Sequence, residues 1–154
     1  MKKILKFPEG NKQINLSSCG PNAMKQVILY KLGLDIPEYQ LMNMSCCSTE
    51  TGTPVRGMIQ ISKNFNLNHK LKHNASIDDI IYSINTKNPV ILLIQEWKSG
   101  HYVVANGYDT KHEKVFYYDP LYGKTRSINY STLNKNWHGL DVFHRNRMGI
   151  FFED

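Results

Sequence analysis

From about residue 21 to residue 84 the apolar positions recur every three or four residues, and from residue 89 onward they gather in short blocks. That switch predicts helices in the first half of the chain and strands in the second. Ser17 and Ser18 precede Cys19-Gly20-Pro21. Pro21 suits the first turn of a helix, where its missing N–H costs nothing. Ala23, Val27 and Leu29-Tyr30 then mark a buried helix that ends at Lys31-Leu32-Gly33. Pro37 opens a short helix carrying Leu41 and Met44, and Thr51-Gly52-Thr53-Pro54 turns into a third with Met58, Ile59 and Ile61 to Phe65. Ser76-Ile77-Asp78-Asp79 has the form of a capping box and starts a fourth helix through Ile80 to Ile84.

Pro89 to Ile94 is a continuous apolar run, as a strand buried on both faces shows. His101 to Tyr108 is the next predicted strand, and Lys114 to Tyr118 the one after, with Asp109 to Glu113 as the hairpin loop between them. Asp119-Pro120-Leu121-Tyr122-Gly123 is a turn into a short strand at Lys124 to Ile128. A small helical segment begins at Tyr130, and Met148 to Phe152 closes the chain as a strand. Helices followed by an antiparallel sheet make an α+β class, here a single domain over residues 1–154, with residues 1–12 as an N-terminal extension.

Composition narrows the classes. With 41% hydrophobic and 21% charged residues the chain is that of an ordinary globular domain. No apolar run approaches the roughly 18–20 residues of a membrane span. Met1-Lys2-Lys3 has the basic start of a secretion signal, but Lys6 and Pro8 interrupt the apolar stretch after it, so a cytoplasmic protein, or one exported without such a signal, is expected. Three cysteines, two of them adjacent at Cys46-Cys47, argue against a disulfide framework, and no zinc-ligand spacing is present, so neither a metal nor another cofactor is expected. The net charge of +6 raises the question of nucleic acid, but the basic residues are spread along the chain and mixed with acids, which reads as a solvated surface.

Four residues can carry chemistry together. Cys19 lies at a helix start, where unpaired N–H groups favour a thiolate. His101, at the head of a strand, is a natural base for a thiol. Asp119 ends the neighbouring strand and can face His101 across the pair, fixing its tautomer. Gln13, six residues before Cys19, can offer a side-chain N–H to a developing oxyanion. Each of these has an ordinary structural reading when taken singly, and Asn106 competes with Asp119 as the orienting group. Trp97, just before the histidine strand, can wall a substrate cleft. Trp137 reads as core. His69, His73, His112, His138 and His144 read as solvated, and Cys46 and Cys47 as packed or exposed thiols.

The set Gln13-x5-Cys19-Gly20-Pro21, Gly52-Thr53, Gly100-His101-Tyr102-Val103-Val104 with Gly107-Tyr108, and Asp119-Pro120 with Gly123 resembles one family. These are the papain-like peptidases that remove double-glycine leader peptides from bacteriocins, together with their free-standing relatives. The resemblance runs from about Gln13 to the C-terminus. It implies a papain-like fold, with N-terminal helices packed on a C-terminal antiparallel sheet, and a bacterial cysteine peptidase acting on a peptide or protein. By residue it implies Cys19 as nucleophile, His101 as base and acid, Asp119 as orienting carboxylate and Gln13 as oxyanion donor; Gly100 and Gly52, with Trp97, are read as lining the substrate. The same site also suits a transferase or deamidase acting on an amide, and a silent peptide-binding module on this fold is a further alternative.

Overall fold

Pro21 sits in the first turn of α1 (Cys19–Leu32), as its fixed φ and missing donor require, and Gly33 ends that helix in the left-handed region, its N–H bonded to the Leu29 carbonyl. The computed structural model describes residues 1–96, 99–138 and 146–154. Nine of the fourteen residues of α1 are buried, so packing holds this helix in place more than propensity does. Its two buried amides are both paired: Asn22 donates to Glu38 and Gln26 to the Pro8 carbonyl.

Two further helices, α2 (Glu38–Met44) and α3 (Val55–Asn64), pack on α1. The expected capping box is present at α4 (Ile77–Asn85): Ser76 Oγ accepts from the Asp79 N–H, and the Asp79 carboxylate accepts from the Ser76 N–H.

The strands are β1 (Lys2–Ile4), β2 (His69–Lys72), β3 (Val90–Glu96), β4 (Ser99–Asp109), β5 (Lys114–Asp119), β6 (Lys124–Asn129) and β7 (Gly149–Phe152), with a short helix α5 (Tyr130–Asn136) after β6. They form an antiparallel sheet in the order β2-β7-β3-β4-β5-β6. β3 pairs with β4 as far as Ala105, and β1 takes over along β4 at Gly107 to Asp109. The central strand β3 is buried over Val90 to Ile94, which explains its unbroken apolar run. The fold is thus α+β, with helices from the first half laid against a sheet built mostly from the second.

Residues 1–12, expected as an N-terminal extension, are packed into the domain. β1 is a strand of the sheet, and Leu5 and Phe7 belong to the core. Leu5 N–H donates to the Asn106 carbonyl, Gly10 N–H to the Gly123 carbonyl and Gln13 N–H to the Pro120 carbonyl, so this segment is tied along the far end of the sheet before α1 begins. Trp137 is core as expected, its indole N–H bonded to the Met148 carbonyl. His69 departs from the solvated reading: it lies half-buried in β2, with Nδ1 2.7 Å from the Leu67 carbonyl. His144 and Trp97 lie outside the described residues. No described helix is long and apolar enough to cross a membrane.

Candidate active site

A register shift in the hairpin of β4 and β5 places the two polar partners. Near the turn Asp109 pairs with Lys114 and Gly107 with Phe116; beyond Asn106 the register slips by one, so that Ala105 pairs with Tyr117 and Val104 with Tyr118. Continued by one pair, the slipped register sets Asp119 opposite Val103, on the same face as His101. Without the bulge it would oppose Val104 and face the other way, since side chains alternate along a strand. The result is a hydrogen bond of 2.7 Å between His101 Nε2 and Asp119 Oδ1. Asn106 is occupied elsewhere: its side-chain N–H groups donate to the Leu5 carbonyl and Thr125 Oγ1, so it does not orient the histidine.

Asp119 is fully buried and well satisfied. Oδ1 also accepts from the Leu121 N–H at 3.0 Å, and Oδ2 accepts from Arg126 Nη1 at 2.9 Å. Burial by itself opposes its ionisation, but the bonds from His101, Leu121 and Arg126 outweigh that and hold the carboxyl below its ordinary value. For His101 burial likewise opposes the charge, yet the bond to Asp119 and the contact with the Cys19 sulfur push the imidazole up to about 10. With Nε2 held by Asp119, Nδ1 is left for the thiol. The order Cys19, His101, Asp119 is the arrangement that lets an imidazole carry a proton to and from a sulfur.

Cys19 opens α1 and is buried. Ser18, the residue before it, does not cap the helix with its side chain; its hydroxyl is turned to the Asn15 carbonyl and accepts from the Asn15 N–H. The first turn therefore has no side-chain cap; Pro21 brings no N–H, the Asn22 N–H is taken by the Ser18 carbonyl, and the positive end of the helix falls beside Cys19. Gln13 is set next to the Asp119-Pro120 turn by its backbone bond to Pro120. Its Nε2 donates to the Asn15 carbonyl at 2.7 Å, which uses one of the two donors of the amide; Oε1 is buried with no partner among the described residues. The loop that carries Gln13 is also pinned by Glu38, which accepts from the Ile14 N–H at 2.8 Å and from Asn22 Nδ2 at 2.6 Å.

Cys19 opens into a cleft of about 760 Å³. One wall is Ser99, Gly100, Tyr102 and Leu93 of the sheet, and the other is Cys46 and residues 49–56 ahead of and at the start of α3. Both glycines expected to line substrate, Gly52 and Gly100, are on this cleft. Gly52 has φ of +72°, a conformation that side chains resist, and closes a small loop through a bridge to Ser48. Tyr102 Oη donates to the Thr53 carbonyl at 3.0 Å and so ties the two walls together. The Thr53 hydroxyl is buried without a partner among the described residues.

Sequence reasoning missed two nearby groups, Glu96 and Arg126, and read Cys47 only as a packed or exposed thiol. Glu96 Oε2 lies 3.8 Å from His101 Nε2, and Arg126 joins Asp119. Cys47 Sγ–H donates to the Ser17 carbonyl at 3.4 Å, behind the cysteine loop. The three described cysteines are all free thiols. Ligand atoms of Glu96, His101 and Asp119 fall within 4.8 Å of one another, close enough to share a cation, but Arg126 already supplies the positive charge at that point. Only the alternation of β3 and β6 could have announced Glu96 and Arg126, and neither stands out among ordinary surface charges.

Among solved structures of like fold, a C39-like peptidase from Bacillus anthracis superposes with a TM-score of 0.77 at 16% identity, over 100% of this chain and 98% of that one. The peptidase domain of Streptococcus ComA, a bifunctional ABC transporter of a quorum-sensing pathway, gives 0.75 at 19% identity over 96% and 97%. A double-glycine-motif protease from an AMS/PCAT transporter, solved with its leader peptide, gives 0.73 at 18% identity over 97% and 93%. No curated protein matches the chain. The family model of the peptidase C39 family covers residues 10–147, which spans Gln13, Cys19, His101 and Asp119. The chain therefore belongs to the peptidase C39 family and is a papain-like cysteine peptidase.

Proposed function

We propose that this chain cleaves an extended peptide lying in the cleft, with Cys19 as nucleophile, His101 as general acid and base, Asp119 as orienting carboxylate and Gln13 as oxyanion donor. The observation that carries this reading is the 2.7 Å bond from the His101 ring to buried Asp119, with the Cys19 sulfur beside that ring and lining the cleft. The thiolate attacks the scissile carbonyl carbon. The oxyanion is met by the Cys19 backbone N–H and by the second N–H of Gln13. The imidazolium gives its proton to the leaving amine as the C–N bond breaks, and a thioester remains. Water, deprotonated by His101, attacks the thioester, releases the carboxylic acid and restores the thiol.

Gly52 and Gly100 on facing sides of the cleft suit small residues at the cut, in keeping with the leader peptide bound by the double-glycine-motif protease. The substrate is a peptide or protein, met in the cytoplasm or after export without a classical signal.

The test is labelling by a thiol-directed peptide probe, read by site-resolved mass spectrometry, on wild type, Cys19→Ala and His101→Ala. Label on Cys19 that disappears when His101 is replaced is the expected result. Label confined to Cys46 or Cys47 and indifferent to His101 overturns the reading. Hydrolysis of a peptide with and without an added amine separates a peptidase from a transferase, because at low amine concentration the acceptor outcompetes water for the thioester only in the second case.

A further inference from the structure

Arg126 and Glu96 stand on the side of the His101–Asp119 pair away from the thiol. Arg126 comes from β6, where it pairs across the ladder with Tyr117, and reaches Asp119 Oδ2 at 2.9 Å. Its guanidinium lies 4.5 Å over the Tyr122 ring, which fixes the plane of the fork. Glu96 comes from the end of β3. Its two oxygens lie 3.8 Å from His101 Nε2 and 3.9 Å from Arg126 Nη1. One carboxylate, Asp119, is thus flanked by a histidine and an arginine, and a second carboxylate faces the same two cations at longer range.

We propose that Arg126 and Glu96 are opposed positioning residues that set the pH range over which His101 stays protonated. Arg126 holds Asp119 ionised and turned so that Oδ1 meets the ring, while its charge limits how strongly the imidazolium is favoured. Glu96 acts in the opposite sense, as a second negative charge near Nε2. The groups that face the pair are Cys19 from α1, Glu96 from β3, Tyr117 from β5, Tyr122 from the turn and Arg126 from β6. Tyr117 is pushed up by burial, which disfavours its charged form. Both residues are partly exposed, so each effect is moderated by solvent.

This inference rests on the catalytic reading above, and its test does not need turnover. The imidazole of His101 is titrated by NMR in ring-labelled protein, assigned by loss of the signal in His101→Gln. Removing a positive charge favours the protonated ring, so Arg126→Gln raises its pKa by about 0.5–1 unit, and Glu96→Gln lowers it by a similar amount. Arg126→Lys keeps the charge but not the planar fork; the pKa stays near wild type while kcat falls several-fold with KM little changed. The alkaline limb of kcat/KM on a fluorogenic peptide follows the same two directions.

Shifts of the same sign in Arg126→Gln and Glu96→Gln, or shifts below about 0.2 unit in both, overturn the proposal. Thermal melts identify a variant that fails to fold, and Glu96→Gln decides the matter if Arg126→Gln does. Absence of any peptide hydrolysis by wild type counts against the peptidase reading alone, since the NMR titration still decides this one.

Discussion

His101 and Asp119 are placed by ladders of backbone bonds in a sheet, whereas Cys19 and the opposite wall of the cleft are placed by a helix start and a loop tied at a few points. On the sheet side the backbone near the site runs in paired strands, and each side chain is aimed by register. On the other side the wall rests on the Ser48–Gly52 bridge, on Tyr102 to Thr53 and on Cys47 to Ser17. On the proposed reading, the groups that carry the proton are held by paired strands, while one of the two walls that meet substrate is held by a few isolated bonds.

The largest effect that would mark this division is loss of the sulfur. Cys19→Ala should lower peptide hydrolysis to background, more than about 1,000-fold, with the melting temperature close to wild type. Asp119→Asn keeps the shape but removes the charge on the sheet side, and kcat should drop about 10- to 100-fold with a smaller change in KM.

Acid and alkali test the same pair through stability. His101 is pushed up from 6.5 to about 10, so its stabilising contribution is complete below about 6.5 and is lost as pH rises through about 10. Asp119 is held below 3.8, so its contribution is present above that value and is lost as pH falls through the depressed one. Melting temperature should therefore decline between pH 7 and 10, and the decline should be smaller in His101→Ala.

On the loop side, Gly52→Ala forces a side chain into positive φ at a cost of about 1 kcal/mol. If that wall meets substrate as proposed, away from the proton path, KM should rise several-fold while kcat changes little. The smallest effect belongs to a region away from both walls: Ser76→Ala removes one half of the α4 capping box, lowering stability by about 1 kcal/mol without altering kcat or KM.

The same division governs what could be read from the sequence. Long periodic segments were legible: α1 with its Pro21 and Gly33 bounds, the box at Ser76, and the apolar run of β3. β1 and β2 were not. Lys2-Lys3-Ile4 and His69-Lys70-Leu71-Lys72 are short, and lysines on solvent-facing positions hide them, as such residues commonly do along peripheral strands. Residues 1–12 read as an extension because nothing local shows that Leu5 and Phe7 find a core made by residues far along the chain. Cys19, His101 and Asp119 could be named because their order on their elements matched a family. Arg126 could not, since its partner is fixed by pairing of β5 with β6 and not by any motif.

The extra residue at Asn106 governs which changes in chain length the site tolerates. Residues may be added to or taken from the turn at 110–113 without disturbing the pairing, since the ladder on either side keeps its phase. A single insertion or deletion between His101 and Asn106, or within β5, exchanges inner for outer positions and sends one partner to the far face. The interval separating histidine from aspartate along related chains is therefore a poor guide to whether they meet. What must be preserved is the parity of each strand segment, and lengths that look unlike can describe the same site.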